Sequence, residues 1–246
     1  MTYLSLGAGV QSSALLVMSA LGLRGCPKAA VAVFADTQDE PAWVYQQLTI
    51  LQDFGAAHGV PVDVVTVGRL SASAMVRIPA YVTNPAGVPG PLTQNCTRDY
   101  KRTPIRRYIR QRTRRPAVCL LGISVEEAHR AKDSGVRWLE HRYPLVELGM
   151  TRSACVAVLE AHGIPVPRKS ACVYCPWHSD GAWRELRDHD AEGFAAACAY
   201  DDQIRLERGA SVHKSQVPLR LIDFGRNHPK LWDDGFGNDC SGQCGV

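Results

Sequence analysis

The sequence predicts an α/β protein, a mainly parallel sheet with helices on both faces, and three observations predict it. Short apolar runs alternate with segments whose apolar residues recur at helical spacing. The spacers between those runs are long enough for the crossover connections that parallel strands require. The first run also passes through a small glycine- and serine-rich loop directly into a helix. With 246 residues, 46% of them hydrophobic, the chain can bury one large core or a core with a small appendage.

Taken in order, "TYLSL" at residues 2–6 and "AAVAVFA" at 29–35 read as buried strands. The helix between them runs from Val10 to Leu23, with Leu15, Met18 and Leu23 near helical spacing. "EPAWVYQQLTILQDFGAAHG" gives the second helix and "VDVVTV", Val62 to Val67, the third strand. "AVCLLGI", Ala117 to Ile123, is the fourth, and "VRWLEHRYPL" holds a candidate fifth. Between residues 71 and 95 the rhythm fails: "VTNPAGVPGPLTQN" is rich in proline and glycine and too long for an ordinary connection, so a lid-like loop is expected there. From Thr151 onward the chain turns to short helices and irregular cysteine-bearing stretches. The expected organisation is an α/β domain over 1–150 and a mostly helical or irregular, cysteine-rich appendage over 151–246 packed on it.

The net charge of +4 is mild, so the placement of the positive residues matters more than their sum. The N-terminus carries no basic leader, and Ala14 to Leu23 is too short and too serine-interrupted to span a membrane. A cytoplasmic protein without a membrane partner is expected. Nine cysteines, an odd number, fit a compartment where thiols stay reduced better than a disulfide framework. Cys26, Cys119, Cys155 and Cys198 lie in apolar or alanine-rich surroundings and read as small hydrophobes. Cys96, Cys172, Cys175, Cys240 and Cys244 sit among turn residues and charges and require another explanation.

Ligands of a parallel sheet sit beyond the C-terminal strand ends, and a strand-to-helix loop offers an anion its backbone N–H groups and the positive end of the helix dipole. In "GAGVQSS", Gly7 to Ser13, Gly7 and Gly9 permit close backbone approach, and Ser12 and Ser13 add hydroxyl donors. The loop is either a phosphate cradle or a tight turn. It has neither the Lys-Ser/Thr pair of a Walker loop nor the GxGxxG dinucleotide fingerprint. Asp36 leaves a strand end on the same side and is a candidate cation ligand, or else a helix cap.

Gly7 to Ser13 resembles the SGGxDS pyrophosphate loop of the ATP pyrophosphatases and their relatives, the phosphoadenosine phosphosulfate (PAPS) reductases; Gly7 replaces that motif's first serine and Gln11 its aspartate. "FADTQDEP" (Phe34 to Pro41) resembles the family's "DTxxxxPE" segment, "LLGISVEEAHRAKDS" (Leu120 to Ser134) its "GxRxxES…R" segment, and "YPLVELGMTRSACVAVLEAHGIPVP" (Tyr143 to Pro167) its "PLxxWTxxDVWxYIxxxxIP" stretch. The resemblance implies a five-stranded sheet and a nucleotide site that includes Ser5, Gly7, Gly9, Gln11, Ser12, Ser13, Asp36, Thr37, Gly122 and Ile123. It also implies that Arg130 can pair with a phosphate or sulfate, while Lys101 with one arginine of the basic run after it either serves the nucleotide or belongs to that run's own function. Glu126 and Glu127 read more simply as the solvated first turn of a helix.

"QNCTRDYKRTPI" (Gln94 to Ile105) resembles the CCxxxKxxPL segment of iron–sulfur adenosine phosphosulfate (APS) reductases, and "KSACVYCPWH" (Lys169 to His178) their later CxxC, with Asn95 at the place of the first cysteine. By that resemblance Cys96, Cys172 and Cys175 would ligate a [4Fe–4S] cluster, with Cys240 or Cys244 from the tail, Cys240 first, as the fourth ligand. The same thiolates could hold structural zinc.

Between Arg98 and Arg115 lie nine basic residues and one acid, Asp99. If Pro104 opens a helix, Arg106, Arg110 and Arg114 form one stripe while Ile105 and Ile109 face the core. With Arg102 this stripe suits a nucleic-acid backbone, or it is a solvated basic face.

Three functions compete. The first is an ATP pyrophosphatase of sulfur transfer, using ATP and Mg²⁺, whose acceptor is DNA (phosphorothioation) or tRNA (thiolation) and whose sulfur comes through the cluster or a cysteine desulfurase. The resemblance is closest in kind to the ATP pyrophosphatase of DNA phosphorothioation systems. The second is a PAPS or APS reductase with Cys244, in the ending "QCGV", as nucleophile. The third is a non-catalytic nucleotide- or nucleic-acid-binding protein on the same fold.

Overall fold

The computed structural model describes residues 1–72, 78–84, 87–92 and 95–224. Its centre is a five-stranded sheet of β1 (Thr2–Leu6), β2 (Val31–Asp36), β3 (Val62–Thr66), β6 (Ala117–Leu121) and β7 (Leu139–Arg142), in the order β3-β2-β1-β6-β7. All four pairings are parallel. The expected α/β architecture is therefore present, and "VRWLEHRYPL" does contain the fifth strand.

Side chains alternate across β1, and each face finds its own helices. Leu4 and Leu6, with Ala32 and Phe34 of β2, pack under α1 (Val10–Leu21), α2 (Ala42–Ala57) and α5 (Arg152–Ala161). Tyr3, Val33, Ala35, Cys119 and Leu121 pack on the other face against Ile105 and Ile109 of α3 (Thr103–Arg112). Nine of the twelve residues of α1 are buried, because α1 packs against α5 and α2 as well as against the sheet. Cys155 and Leu159 of α5 and the following Ile164 are thus part of the same core as the sheet, so the α/β layer runs past residue 150.

A third core gathers Trp183 and Leu186 of α6 (Asp180–His189) and Ala197, Tyr200 and Ile204 of α7 (Ala191–Arg208) around Leu70, Ile78, Ala80 and Tyr100. In the segment expected to be an open lid, the described residues form a short antiparallel hairpin, β4 (Tyr81–Thr83) with β5 (Pro89–Pro91). The hairpin is held to the C-terminal part by two backbone hydrogen bonds between Tyr81 and Ser211, at 2.7 and 2.9 Å. Between β7 and α5 lies the single-turn α4 (Pro144–Glu147). Among the described residues no helix is long and apolar enough to cross a membrane.

Candidate functional site

From β1 the chain moves outward through β2 to β3 and then returns to the other side of β1 as β6. The crevice at such a reversal, beyond the strands' C-terminal ends, is where open α/β sheets take ligands. The loop Gly7–Gly9 and the turn Gly122–Ser124 form its two lips. Gly9 caps α1 in extended conformation without a side-chain cap, and the helix's own first turn has no acidic residue to offset the positive end of its dipole. The Ser12 hydroxyl accepts from Gly7 N (3.3 Å) and donates to Gly9 O (3.2 Å), which fixes the loop's shape. Ser13 is fully buried, with its Oγ lacking a hydrogen-bond partner. Ala8 adopts φ 55°, the left-handed region that favours glycine.

Gly122 packs against this loop so closely that a Cβ there would lie 2.7 Å from Ser12 N and 2.8 Å from Ser12 Cα. Ile123 follows, buried, at the same lip. Beyond it, Gln11 Nε2 donates to Glu127 Oε2 (3.0 Å), and Arg152 Nη1 donates to Gln11 Oε1 (3.1 Å). Glu127 also pairs with Arg130. Glu127 is therefore 8% exposed rather than a solvated helical turn, and Glu126 is engaged as well, accepting from Arg152 N at 3.0 Å. Arg130 and Arg152 together bring positive charge to the lip around a neutral Gln11 and a carboxylate supplied from another element. Glu127 and Arg152 were missed as site residues because nothing local in the sequence marks them.

At the end of β2, Asp36 Oδ1 accepts from Gln38 N (2.7 Å) and the Tyr45 hydroxyl (3.0 Å). Thr37 is buried and donates to Glu40 Oε1 (3.1 Å), which also accepts from Lys101 Nζ (3.0 Å). On the α3 face of the sheet a small cleft opens beside the loop. Tyr3, Ser5 and Phe34 contribute to its strand side, and Lys101, Arg102, Arg106 and His141 line it with basic groups. Burial, then the neighbouring Arg106 and Arg98, lowers the Arg102 guanidinium from its usual value. Burial also lowers the His141 imidazole, with Arg106 and Arg102 acting in the same direction.

The basic stripe accordingly divides. Arg102, on a π-helical turn over Thr97–Arg102, and Arg106, on α3, line the cleft. Arg110 is exposed over the Trp138 ring, 5.1 Å from its centroid, and bonds the carbonyls of Thr113 (3.4 Å) and Arg114 (3.0 Å). Arg114 lies beyond the helix, which stops at Arg112 when Thr113 turns extended. The four-residue helical spacing does not reach it.

The CxxC forms a turn in which Cys175 N donates to Cys172 O (3.0 Å). It is joined to the end of β2 by Val173 N to Asp39 O (2.9 Å) and the Tyr174 hydroxyl to Asp39 Oδ1 (3.3 Å). Ser170, two residues before it, reaches the glycine loop, its Oγ 3.0 Å from where a Cβ on Gly9 would stand. The Cys172 thiol is raised well above its ordinary value by a hydrogen bond to Cys175, then by burial and the charges of Cys175, Glu40 and Cys96. Cys96 caps the π-helical turn, so three thiols share one neighbourhood. This soft donor set has the chemistry of a zinc or iron–sulfur site. Among the described residues, however, no three His, Cys, Asp or Glu side chains are grouped so as to hold a metal ion. Cys240 and Cys244 lie outside the described residues. His178, which sequence reading overlooked, braces the turn through Nε2 to Cys172 O (3.1 Å); burial, then Lys169, pushes its imidazole down to about 3. Cys26, Cys119 and Cys155 are buried, and burial lifts their thiols to about 11, 12 and 12.

No family model matches the sequence, and no curated protein matches it. Among solved structures, the chain is similar to the U34-tRNA thiolase NcsA from Methanococcus maripaludis with its [4Fe-4S] cluster. The match covers 83% of this chain and 71% of that one, at 10% sequence identity and a TM-score of 0.46.

Proposed function

We propose that the protein is an ATP pyrophosphatase of sulfur transfer that activates an oxygen of a nucleic-acid acceptor. The observation that carries the reading is the crevice itself: a glycine loop at an uncapped helix N-terminus, closed by Gly122, beside a basic cleft and a cysteine turn. An oxygen is a poor leaving group for a sulfur nucleophile. It therefore attacks the α-phosphorus of ATP, the bond from that phosphorus to the pyrophosphate oxygen breaks, pyrophosphate leaves, and the acceptor is retained as its adenylate. A sulfur nucleophile then bonds to the acceptor atom that carries the activated oxygen, and that oxygen departs with AMP.

In this reading the loop N–H groups and the Ser12 hydroxyl hold the β- and γ-phosphates, stabilising charge that grows on the pyrophosphate. Ser5, Gly7, Gly9, Gln11, Ser13, Thr37, Gly122 and Ile123 shape the nucleotide's seat, while Lys101 and Arg130 direct positive charge at it. Asp36 would hold a Mg²⁺ ion, which neutralises phosphate charge. Cys96, Cys172 and Cys175, with Cys240 as the fourth ligand, would hold an iron–sulfur cluster or zinc. A cluster supplies a sulfide-binding centre, whereas zinc supplies structure. A cysteine desulfurase is the partner that would deliver sulfur, and Arg110 and Arg114 face outward where DNA or tRNA would lie.

The test is pyrophosphate release from ATP by anaerobically prepared protein, with DNA or tRNA and a sulfur donor, alongside sulfite release from PAPS and APS. Pyrophosphate and AMP are expected. Sulfite without pyrophosphate would replace this reading by a reductase in which Cys244 attacks sulfur.

A further inference from the structure

The cleft gathers Lys101, Arg102 and Arg106 beside Gly7, and the two arginines reach it from the face of the sheet opposite helix α1. Helix α1 packs on the Leu4 and Leu6 face of the sheet, whereas Ile105, which lines the cleft and lies between Arg102 and Arg106, packs on the Tyr3 and Val33 face. The N-terminus of α1 and the two arginines therefore approach the crevice from opposite faces. Arg102 Nε is buried without a hydrogen-bond partner. Among the described residues Arg106 has a neutral partner, Nη2 donating to Ser134 O at 3.1 Å. Among the described residues lining the cleft there is no Asp or Glu, and no carboxylate forms an ion pair with Arg102 or Arg106.

Two guanidinium groups four residues apart on one helical face repel each other, and partial burial strengthens that repulsion by removing water. His141 lines the same cleft, where burial and the two arginines disfavour its protonated form. A fold keeps such an arrangement against its own stability where an anion will compensate it. A guanidinium is the side chain whose planar donors match a phosphate bidentately.

We infer that Arg102 and Arg106 form a second phosphate subsite inside the cleft, separate from the glycine loop, so that the bound substrate presents a further phosphate ester besides its 5′-phosphates. This rests on the proposal that the loop seats a nucleotide. The further phosphate is either a second ester on the ribose of that nucleotide or a backbone phosphate of the acceptor strand entering beside it.

The experiment titrates wild-type protein and the variants Arg102→Gln, Arg106→Gln and Arg107→Gln with adenosine 5′-monophosphate, adenosine 3′,5′-bisphosphate and a short fluorescent single-stranded oligonucleotide. Arg107 is the exposed control on the same helix, and thermal melts check that each variant is folded. Arg102→Lys is the conservative partner, expected to recover part of any loss. The subsite predicts that Arg102→Gln and Arg106→Gln weaken one probe carrying the extra phosphate by tenfold or more, with 5′-monophosphate affinity changed less than threefold. Loss confined to the bisphosphate identifies a ribose ester, and loss confined to the oligonucleotide identifies a backbone phosphate. Unchanged binding of both extra-phosphate probes, or equal loss of all three probes, would overturn the inference. If wild-type protein binds neither ATP nor the monophosphate, the nucleotide proposal itself fails, and an arginine-dependent oligonucleotide signal would then stand alone.

Discussion

Single residues at the crevice carry more geometric constraint than their chemistry suggests. Gly122 is fixed by contact: an added methyl would meet the backbone of Ser12 at 2.7 Å, and backbone cannot step aside as a flexible side chain can. Gly122→Ala should displace the loop and weaken ATP binding by about tenfold or more while leaving the sheet folded, as read by calorimetric titration beside circular dichroism. Ala8 bears the opposite constraint, a side chain where glycine belongs. Relief of its positive φ is worth about 1–2 kcal/mol, offset by about 0.5–1 kcal/mol of extra chain entropy in glycine. Ala8→Gly should therefore leave stability equal or slightly higher, whereas Ala8→Val should lower the melting temperature, because a β-branched side chain resists that conformation. The loop was legible because its residue types report backbone approach directly. Glu127 and Arg152 were not, because their roles arise from contacts made 116 and 141 residues away from Gln11.

Elements were legible in kind and less so at their ends. The spacing of Ile105 and Ile109 placed one face of α3 inward correctly, but periodicity alone could not show that Thr113 ends the helix or that a π-helical turn before it carries Arg102 into the cleft. Helix α7 has a comparable hidden determinant. Asp201, with 0% exposure, accepts from Val212 N (2.8 Å), Leu219 N (3.0 Å) and Arg205 Nε (2.7 Å), and so folds the chain after α7 back onto the helix. Asp201→Ala leaves two buried amides and a guanidinium without their shared acceptor, at a cost of about 3 kcal/mol. Hydrogen exchange should show amides 210–222 losing protection first. His213 makes the same region sensitive to acid. Burial holds its imidazole below the ordinary value, with Lys214 acting in the same direction and Asp180 and Asp201 opposing. The unfolded chain thus takes up the proton first as pH falls through about 6.5. The stability contribution is present above that pH and is lost as pH falls toward the lower folded-state value. Melting temperatures should fall between pH 7.5 and 5.5, and less steeply in His213→Asn.

At the scale of the whole molecule, alternation of strands and helices announced a parallel sheet, but not how the C-terminal part closes on it. That closure depends on pairings no local pattern contains: Tyr81 with Ser211, Val173 with Asp39, Ser170 beside Gly9. Their effect is to connect the cysteine turn both to the end of β2 and to the glycine loop, so the proposed metal site and the proposed nucleotide seat share these contacts. Anaerobic wild-type protein should contain iron with inorganic sulfide, or else zinc, and Cys172→Ser should lose it. Cys198→Ser, at a half-buried position on α7, should keep it. Metal binding to a site formed only in the folded state stabilises that state. Cys172→Ser should accordingly melt at lower temperature than wild type, and chelator-treated wild type should melt with it. Because Asp39 precedes Glu40, which accepts from Lys101 in the cleft, metal removal should also weaken ATP binding without any substitution in the loop itself. A Cys172→Ser protein with full metal content would refute the ligand assignment. Metal loss with ATP affinity intact would retain the ligands and remove the linkage.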